Sequence, residues 1–280
     1  MQVLEWMTQA DRLRARREPF ALVTVLRVVP PTSARPGDKA VVTSDGQIYG
    51  WIGGGCAQPA VIKTVRQALR DGQPRQIRIV PRSDEPTLVS PQITEFSMAC
   101  HSGGTLELFV EPMLPSARLL VIGDSPVARA LCGLAPQVGF EVTLLAFGAQ
   151  REDFPAAHHV WSEDAPETVR EAWGQGGFVV VATQGRRDLP GLLAALRVEP
   201  DHVWFVASAR KAAALKAELR DRGCPASQVE QIEAPAGERI GAQTPEEVAL
   251  AVLASVVSSR RRARTSPVAC QSRPTTDTVA

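Results

Sequence analysis

Short apolar runs alternate with helical patterns through the second half of the chain, and this alternation constrains the fold more than any other feature. The apolar runs have the composition of strands that are buried on both faces, and they cover residues 118–122, 141–145, 177–182 and 202–207. The helix after the first run is predicted to begin at Ser125-Pro126, a typical N-cap followed by a proline suited to the first turn, and to reach Gln137. Strands that alternate with helices form parallel, doubly wound sheets. We therefore predict a Rossmann-like domain over residues 116–259.

The first half carries a different pattern, which is typical of an α+β domain. Asp45-Gly46 between two apolar runs predicts a β-hairpin. The predicted strands are 21–29, 39–44, 47–52, 75–80 and 105–110, and the predicted helices are 1–20 and 58–70. The whole chain is thus expected to be α/β, with an N-terminal α+β domain at 1–113.

The C-terminal region begins with a strong helix signal and ends in a tail. Thr244-Pro245-Glu246-Glu247 is a capping box that opens a helix predicted to run through Val257. An arginine cluster then leads into a segment that contains serine, threonine and proline. We expect residues 260–280 to be disordered.

The composition excludes several classes of function. The 280 residues have a formal net charge of +1, which gives no general attraction to nucleic acid or to an acidic membrane surface. No stretch is long and apolar enough to span a bilayer. The five cysteines, at positions 56, 100, 132, 224 and 270, lack metal-site spacing, which favours reduced thiols and a cytoplasmic location. We therefore expect no nucleic-acid partner and no membrane span.

A glycine-rich turn lies between a predicted strand and a predicted helix. It reads Gly50-Trp51-Ile52-Gly53-Gly54-Gly55-Cys56-Ala57-Gln58-Pro59. Consecutive glycines let a ligand come close to the backbone amides, and the amides at a helix start attract an anion. The turn is therefore a candidate anion site with a thiol inside it. Glycine runs also close hairpins that bind nothing, and a cysteine with apolar neighbours is often a small core residue.

A second thiol lies beside a glycine pair, just before the strand predicted at 105–110. The segment reads Met98-Ala99-Cys100-His101-Ser102-Gly103-Gly104-Thr105. If it lies opposite the first turn, Cys56 and Cys100 converge on one anionic ligand that contains a soft metal. A Cys100–His101 nucleophile is an alternative, but adjacent side chains in extended backbone point to opposite faces. The other cysteines and His158, His159 and His202 are interpreted as structural or solvent-facing.

The turn after the first Rossmann strand departs from a dinucleotide fingerprint. Ser125 stands where a second glycine would let a pyrophosphate approach, and Ala146-Phe147-Gly148 offers no carboxylate for a ribose. Ala128 keeps the small residue that helix-to-strand packing needs. The pattern therefore favours the fold and disfavours NAD as a cofactor, and an NAD(P)-dependent oxidoreductase is kept as an alternative function.

Five segments make the chain resemble the XdhC/CoxI family of molybdenum-cofactor maturation proteins. They are residues 33–37, 50–58 and 100–111, the Gly123 turn, and residues 234–247, which form a proline-glycine loop that leads into the capping box. The resemblance implies a chaperone, rather than an enzyme, that binds the molybdopterin form of the molybdenum cofactor. It implies delivery to a client molybdenum hydroxylase of the xanthine dehydrogenase, carbon monoxide dehydrogenase or aldehyde oxidase type. A cysteine desulfurase-type sulfurtransferase is an expected second partner, and we expect a homo-oligomer.

The resemblance and the residue chemistry together indicate where the cofactor binds. The predicted cofactor-binding residues are Arg35, Gly53, Gly54, Gly55, Cys56, Gln58, Cys100, Gly103 and Gly104. The cofactor phosphate is expected at the three glycine amides with Arg35 as a bidentate contact, and the thiol of Cys56 or Cys100 near the metal. Gln58 stands where the family commonly has glutamate, and its amide can still hydrogen-bond a pterin edge. A cleft between the two domains is expected to shield the metal. No catalytic residue is predicted. A scaffold that binds the client enzyme without holding cofactor is a further alternative function.

Overall fold

The computed structural model describes residues 3–81, 93–98 and 103–265. The chain divides into two compact units, the first built on the residues up to Pro115 and the second on residues 116–262. Each unit is built on one six-stranded sheet. The chain is therefore a mixed α/β protein, as the sequence predicts.

The first unit has an α+β arrangement. Its elements are α1 (Val3–Ala15), β1 (Phe20–Val29), β2 (Lys39–Thr43), β3 (Ile48–Gly50), α2 (Gln58–Asp71), β4 (Arg75–Pro81), β5 (Ile93–Met98) and β6 (Thr105–Met113). The strand order is β3-β2-β1-β6-β4-β5, and every neighbouring pair is antiparallel except β4 and β5. α2 buries Val61, Val65 and Ala68 against the sheet, which is the helical spacing expected of an amphipathic helix.

Two details of this unit differ from the sequence prediction. The helix predicted over 1–20 ends at Ala15, because Arg17 takes a left-handed conformation and Phe20 already pairs with both β2 and β6. β5 was not predicted. Thr94 and Glu95 are exposed on this edge strand, so its sequence lacks a clear apolar alternation.

The second unit is a doubly wound parallel sheet. Its elements are β7 (Ala117–Ile122), α3 (Pro126–Leu134), β8 (Phe140–Leu145), β9 (His159–Trp161), α4 (Pro166–Trp173), β10 (Phe178–Val181), α5 (Asp188–Arg197), β11 (His202–Phe205), α6 (Ala209–Asp221), α7 (Ala226–Glu230), β12 (Ile232–Glu233) and α8 (Pro245–Thr265). The strand order is β12-β11-β10-β7-β8-β9, and all pairs are parallel. This is the strand order of a Rossmann sheet, and it reverses between β7 and β10. The Rossmann prediction is therefore confirmed.

Helix ends in this unit depart from their predicted positions. α3 ends at Leu134 and continues to Val138 as a 3₁₀ turn. α8 continues beyond Val257 to Thr265, so the first residues of the predicted tail are helical. Arg260 explains the longer helix, because its guanidinium lies 4.2 Å from the centre of the Phe140 ring and donates to the Val138 carbonyl. The rest of the predicted tail, 266–280, lies outside the described residues.

The helices give no sign of a membrane-spanning segment. Of those in the described part of the chain, none combines the length and apolar composition that crossing a bilayer requires.

Candidate functional site

Most of the predicted site residues belong to segments that leave the first sheet at one end, which we call the Val29 end. β1, β3, β4 and β5 finish at this end, and β2 and β6 begin there. The register shows this directly, because Val29 pairs with Thr105, the first residue of β6, and Pro81 pairs with Met98, the last residue of β5. Three described segments meet there: the loop before β2, the turn after β3, and Gly103-Gly104, which immediately precede β6.

Contacts between side chains and backbone hold these segments together. The indole Nε1 of Trp51 donates to the Ser33 carbonyl at 3.3 Å, which links the turn after β3 to the loop before β2. A Cβ atom at Gly53 would lie 3.1 Å from Cδ1 of Leu106 and 3.6 Å from Cβ of Ala34. The backbone of Gly53 is therefore packed between the loop that carries Arg35 and the start of β6.

The glycines of the turn have different roles. Gly53 is buried with φ of +114°, a conformation that other residues rarely adopt. Gly54 is exposed with φ of −68° and ψ of 168°, and no atom lies within 4 Å of a Cβ placed on Gly54 or Gly55. The fold thus requires glycine at position 53. At positions 54 and 55 the backbone faces open space in which a ligand can approach the amides.

The glycine pair before β6 shows the same division. A Cβ atom at Gly104 would lie 2.0 Å from the carbonyl oxygen of Pro31, so only glycine fits against the end of β1. Gly103 has φ of +72° and open space around it. Glycine is therefore required at position 104 because the backbone packs closely there, and it is favoured at position 103 because the backbone has a positive φ.

The turn leads into α2 without a side-chain cap. Residues Gly55–Ala57 form a 3₁₀ turn, α2 begins at Gln58 with Pro59 in its first turn, and Ala57 makes no side-chain cap hydrogen bond. Cys56 and Gln58 are exposed. A helix start of this kind carries a partial positive charge and suits a phosphate or another anion.

Arg35 adds a full positive charge near the turn. Its side chain is exposed, and its backbone N–H donates to Oδ2 of Asp38 at 2.7 Å, which fixes the loop. Cβ of its neighbour Ala34 lies 3.6 Å from the position that a Cβ atom on Gly53 would take. The Val29 end therefore combines a guanidinium, backbone amides and a thiol, which are donors for an anion and for a soft metal.

The second predicted thiol, Cys100, lies outside the described residues, together with His101. The described residues on either side, Met98 and Gly103, are both at the Val29 end. Within 3–81, 93–98 and 103–265, no three His, Cys, Asp or Glu side chains form a group that could hold a metal ion. Convergence of Cys56 and Cys100 on a metal stays a prediction.

The sequence predicts a structural or solvent-facing role for the remaining thiols and imidazoles, and three of them make contacts within the described residues. Cys132 is buried in the core of the second unit, and burial raises the pKa of its thiol to about 12. His158 accepts a hydrogen bond from the Val142 N–H at 3.0 Å, and Nε2 of His202 lies 3.0 Å from Oε2 of Glu233. Cys270 lies outside the described residues.

The turn after β7, at the crevice of the Rossmann sheet, has the tight glycine turn and the capped helix that the sequence predicts. Gly123 has φ of +119°, and a Cβ there would lie 2.5 Å from the Ala182 carbonyl oxygen. Ser125 caps α3, because its Oγ accepts from the Ala128 N–H at 3.2 Å. The Ser125 side chain therefore occupies the first turn at the point where a dinucleotide fingerprint has glycine.

Sequence reasoning gave no binding role to three residues at this crevice. Phe147 and Asp164 follow the carboxyl ends of β8 and β9, Arg187 lies in the loop between β10 and α5, and all three line one cavity. The crevice therefore does contain a carboxylate, that of Asp164, which follows β9. No carboxylate follows β8 directly, as the sequence indicates. β9 is only three residues long, so no pattern placed Asp164 at a strand end.

Comparison with known proteins identifies the family. The model for the XdhC Rossmann domain matches residues 119–256, and the model for the XdhC and CoxI family matches residues 13–80. The chain belongs to the XdhC and CoxI family. The two matches fall on the second and the first unit respectively, so family membership covers both sheets.

Two curated relatives and one solved structure are similar to this XdhC and CoxI family member. It is 28% identical over 269 residues to the uncharacterized protein YqeB of Escherichia coli K12, covering 91% of this chain but 46% of YqeB, about half its length. It is 25% identical over 283 residues to the molybdenum cofactor insertion chaperone PaoD of the same organism, covering 86% of this chain and 83% of PaoD. A crystal structure of a xanthine dehydrogenase from Bacillus halodurans aligns over 92% of this chain and 96% of that one, with a TM-score of 0.46 and 17% identity.

Proposed function

We propose that this protein carries the molybdenum cofactor, in its molybdopterin form, to a client molybdenum hydroxylase of the xanthine dehydrogenase, carbon monoxide dehydrogenase or aldehyde oxidase type. The observation that carries the proposal is the meeting of three predicted site segments at the Val29 end of the first sheet. Membership of the XdhC and CoxI family and similarity to a cofactor insertion chaperone support the same role.

The chemistry of the Val29 end fits this cargo. The cofactor phosphate would lie against the amides of Gly54 and Gly55 at the start of α2, with Arg35 as a charged partner. The exposed thiol of Cys56 is a soft ligand suited to the molybdenum end. Gln58, also exposed, offers an amide that both donates to and accepts from a pterin edge.

The exposure of these groups suits a carrier better than a permanent holder. Gly54, Gly55, Cys56 and Gln58 all face solvent, so cargo that binds there can leave without unfolding of the sheet. The proposal therefore assigns no catalytic residue to this chain. It includes a cysteine desulfurase-type partner that supplies the terminal sulfido ligand, a homo-oligomeric state and a cytoplasmic location.

The test measures molybdopterin and molybdenum in protein that is coexpressed with cofactor synthesis. Pterin is quantified by oxidation to its fluorescent product, and the metal by elemental analysis. We expect near-stoichiometric pterin in the unmodified protein and a loss in Cys56→Ser or Cys100→Ser. Cys224→Ser is the matched control, because Cys224 lies in the second unit and should not affect loading.

Other outcomes would favour the rival functions. Protein that never holds pterin, even after reconstitution, yet binds a client enzyme would be a scaffold. A rise in melting temperature on addition of NAD or NADP, without pterin, would favour an oxidoreductase instead. If pterin binds equally well to Cys56→Ser and Cys100→Ser, the thiols do not hold the metal.

A further inference from the structure

A cavity of about 220 Å³ lies at the carboxyl end of the Rossmann sheet, wholly within the second unit. The strand order reverses there, between β7 and β10, and ligands of open parallel sheets enter at such a point. Its volume is below the roughly 300–1,000 Å³ of sites that take drug-sized ligands. The cavity therefore suits one bicyclic ring better than a whole dinucleotide.

Three side chains at this cavity form a layered arrangement. The guanidinium of Arg187 donates to both oxygens of Asp164, from Nε at 2.8 Å and from Nη2 at 2.9 Å. The same guanidinium lies 4.5 Å from the centre of the Phe147 ring. Phe147 is 64% exposed, which is unusual for a large aromatic residue, whereas the Asp164 side chain is only 12% exposed. The planar guanidinium of Arg187 thus lies over the Phe147 ring, and one of its edges donates two hydrogen bonds to the Asp164 carboxylate.

This arrangement matches the way a cyclic guanidine is recognised. In a 2-amino-4-oxo-pyrimidine ring, the ring N–H and the exocyclic amino group present two parallel donors, as Arg187 does to Asp164. The attached ring system would stack on Phe147. Arg187 occupies, with its own side chain, the positions that such a heterocycle would take.

The loop around Arg187 is fixed, so its side chain is the part that can move. Asp188, which is buried, bonds to the Thr183 hydroxyl and to the Lys211 ammonium, and accepts from the Gly185 N–H at 3.2 Å. The Arg187 backbone is left-handed, with φ of +59°. The Arg187 side chain itself is 48% exposed. Its guanidinium can therefore swing into solvent while the loop stays in place.

The charges of the cavity favour a neutral ligand. Asp124 pairs with Arg186 at 3.1 Å, whereas a ligand that displaces Arg187 meets the negative charge of Asp164, so the cavity disfavours an anionic group. The hydroxyl of Ser125 takes the helix-start N–H of Ala128 that a pyrophosphate would otherwise contact. These features favour a base or pterin ring over a phosphate group.

We propose that this cavity binds a planar heterocycle with a 2-amino-4-oxo-pyrimidine ring, a pterin or a guanine base, which displaces the guanidinium of Arg187 from Asp164 and Phe147. The proposal stands on the crevice of the second unit and does not require the carrier function assigned to the Val29 end. Failure of molybdopterin loading would leave it intact.

Titration calorimetry with simple probes tests the recognition. Neopterin and guanosine carry the required ring, whereas the lumazine with the side chain of neopterin, and xanthosine, carry an oxo group in place of the 2-amino group. We expect neopterin or guanosine to bind about tenfold or more tightly than its oxo counterpart, because the second hydrogen bond to Asp164 is lost. Binding of neopterin alone identifies a pterin site, and binding of guanosine alone a nucleobase site. Equal affinity for the amino and oxo probes would overturn the proposal.

Asp164→Asn gives a result that misfolding cannot imitate. A carboxamide accepts one hydrogen bond and donates another, which matches the ring N–H and the 2-oxo group of lumazine and xanthosine. We expect the preference between amino and oxo probes to invert. A uniform loss of affinity for both kinds of probe in a folded Asp164→Asn protein would refute the role of Asp164.

Arg187→Ala tests the displacement. Without its guanidinium, Asp164 and Phe147 are open to the ligand, so neopterin or guanosine should bind several-fold more tightly than to the unmodified protein. Arg197→Ala is the control, because Arg197 pairs with Glu167 elsewhere on the second unit, and it should leave binding unchanged. An unchanged or weaker affinity in Arg187→Ala, or no binding of any probe to either protein, would refute the proposal.

Discussion

Gly53 and Gly54 are neighbours in one turn, yet the structure predicts opposite effects for the same substitution. Gly53→Ala places a methyl group on a backbone with φ of +114° and 3.1 Å from Leu106. The disfavoured backbone conformation costs about 1–3 kcal/mol, and moving Leu106 adds to it, so we expect a loss of about 2–4 kcal/mol in unfolding free energy. Gly54→Ala meets no atom and has a negative φ, so it should stabilise by about 0.4–1 kcal/mol.

Urea unfolding followed by circular dichroism measures both effects, and hydrogen exchange of the β6 amides assigns the transition to the first unit. The two variants also separate stability from binding. Gly54→Ala should lose molybdopterin although it is at least as stable as the unmodified protein, because the methyl group fills the space in front of the amides. Equal stability of Gly53→Ala and Gly54→Ala would refute the conformational argument. Full cofactor loading of Gly54→Ala would remove Gly54 from the site.

Further predictions concern a helix cap, thiol reactivity and pH dependence. Ser125→Ala should lower the unfolding free energy by about 1 kcal/mol, measured by denaturant titration, because α3 loses its N-cap hydrogen bond. Maleimide at about pH 8 should label Cys56 and leave Cys132 unmodified in the folded protein, as peptide mass mapping would show, because burial raises the pKa of Cys132 to about 12. Two backbone N–H groups at the start of α8 hold the pKa of Glu247 below its ordinary value of 4.5, so its contribution to stability is present above that value and is lost as the pH falls through the lowered one. Glu247→Gln should therefore flatten the stability profile below pH 4.5, and a profile unchanged by the substitution would contradict this.

The parts of the fold that the sequence predicts are those with strong local signals. The Asp45-Gly46 hairpin, α2, and the capping boxes and caps at Ser125 and Thr244 all lie where their residues indicate. Each of these depends on hydrogen bonds or apolar spacing within a few residues, which sequence alone displays.

The missed elements depend on partners that are distant in sequence. β5 is an edge strand that pairs in parallel with β4, and β9 and β12 are too short to show alternation. The extension of α8 depends on Arg260 meeting the Phe140 ring more than a hundred residues away. The Asp164–Arg187 pair is likewise formed by the arrangement of strands and not by any local motif.

The position of β6 has a consequence for how the protein is made. This strand comes last in the sequence of the first unit but lies in the middle of its sheet, hydrogen-bonded to β1 on one side and β4 on the other. During synthesis, β1 and β4 therefore lack a shared neighbour until residue 113 has left the ribosome, since long-range pairing of this kind forms late. The Val29 end is completed by the same strand, so under the proposed carrier function a nascent chain would take up cargo only after residue 113 has been translated.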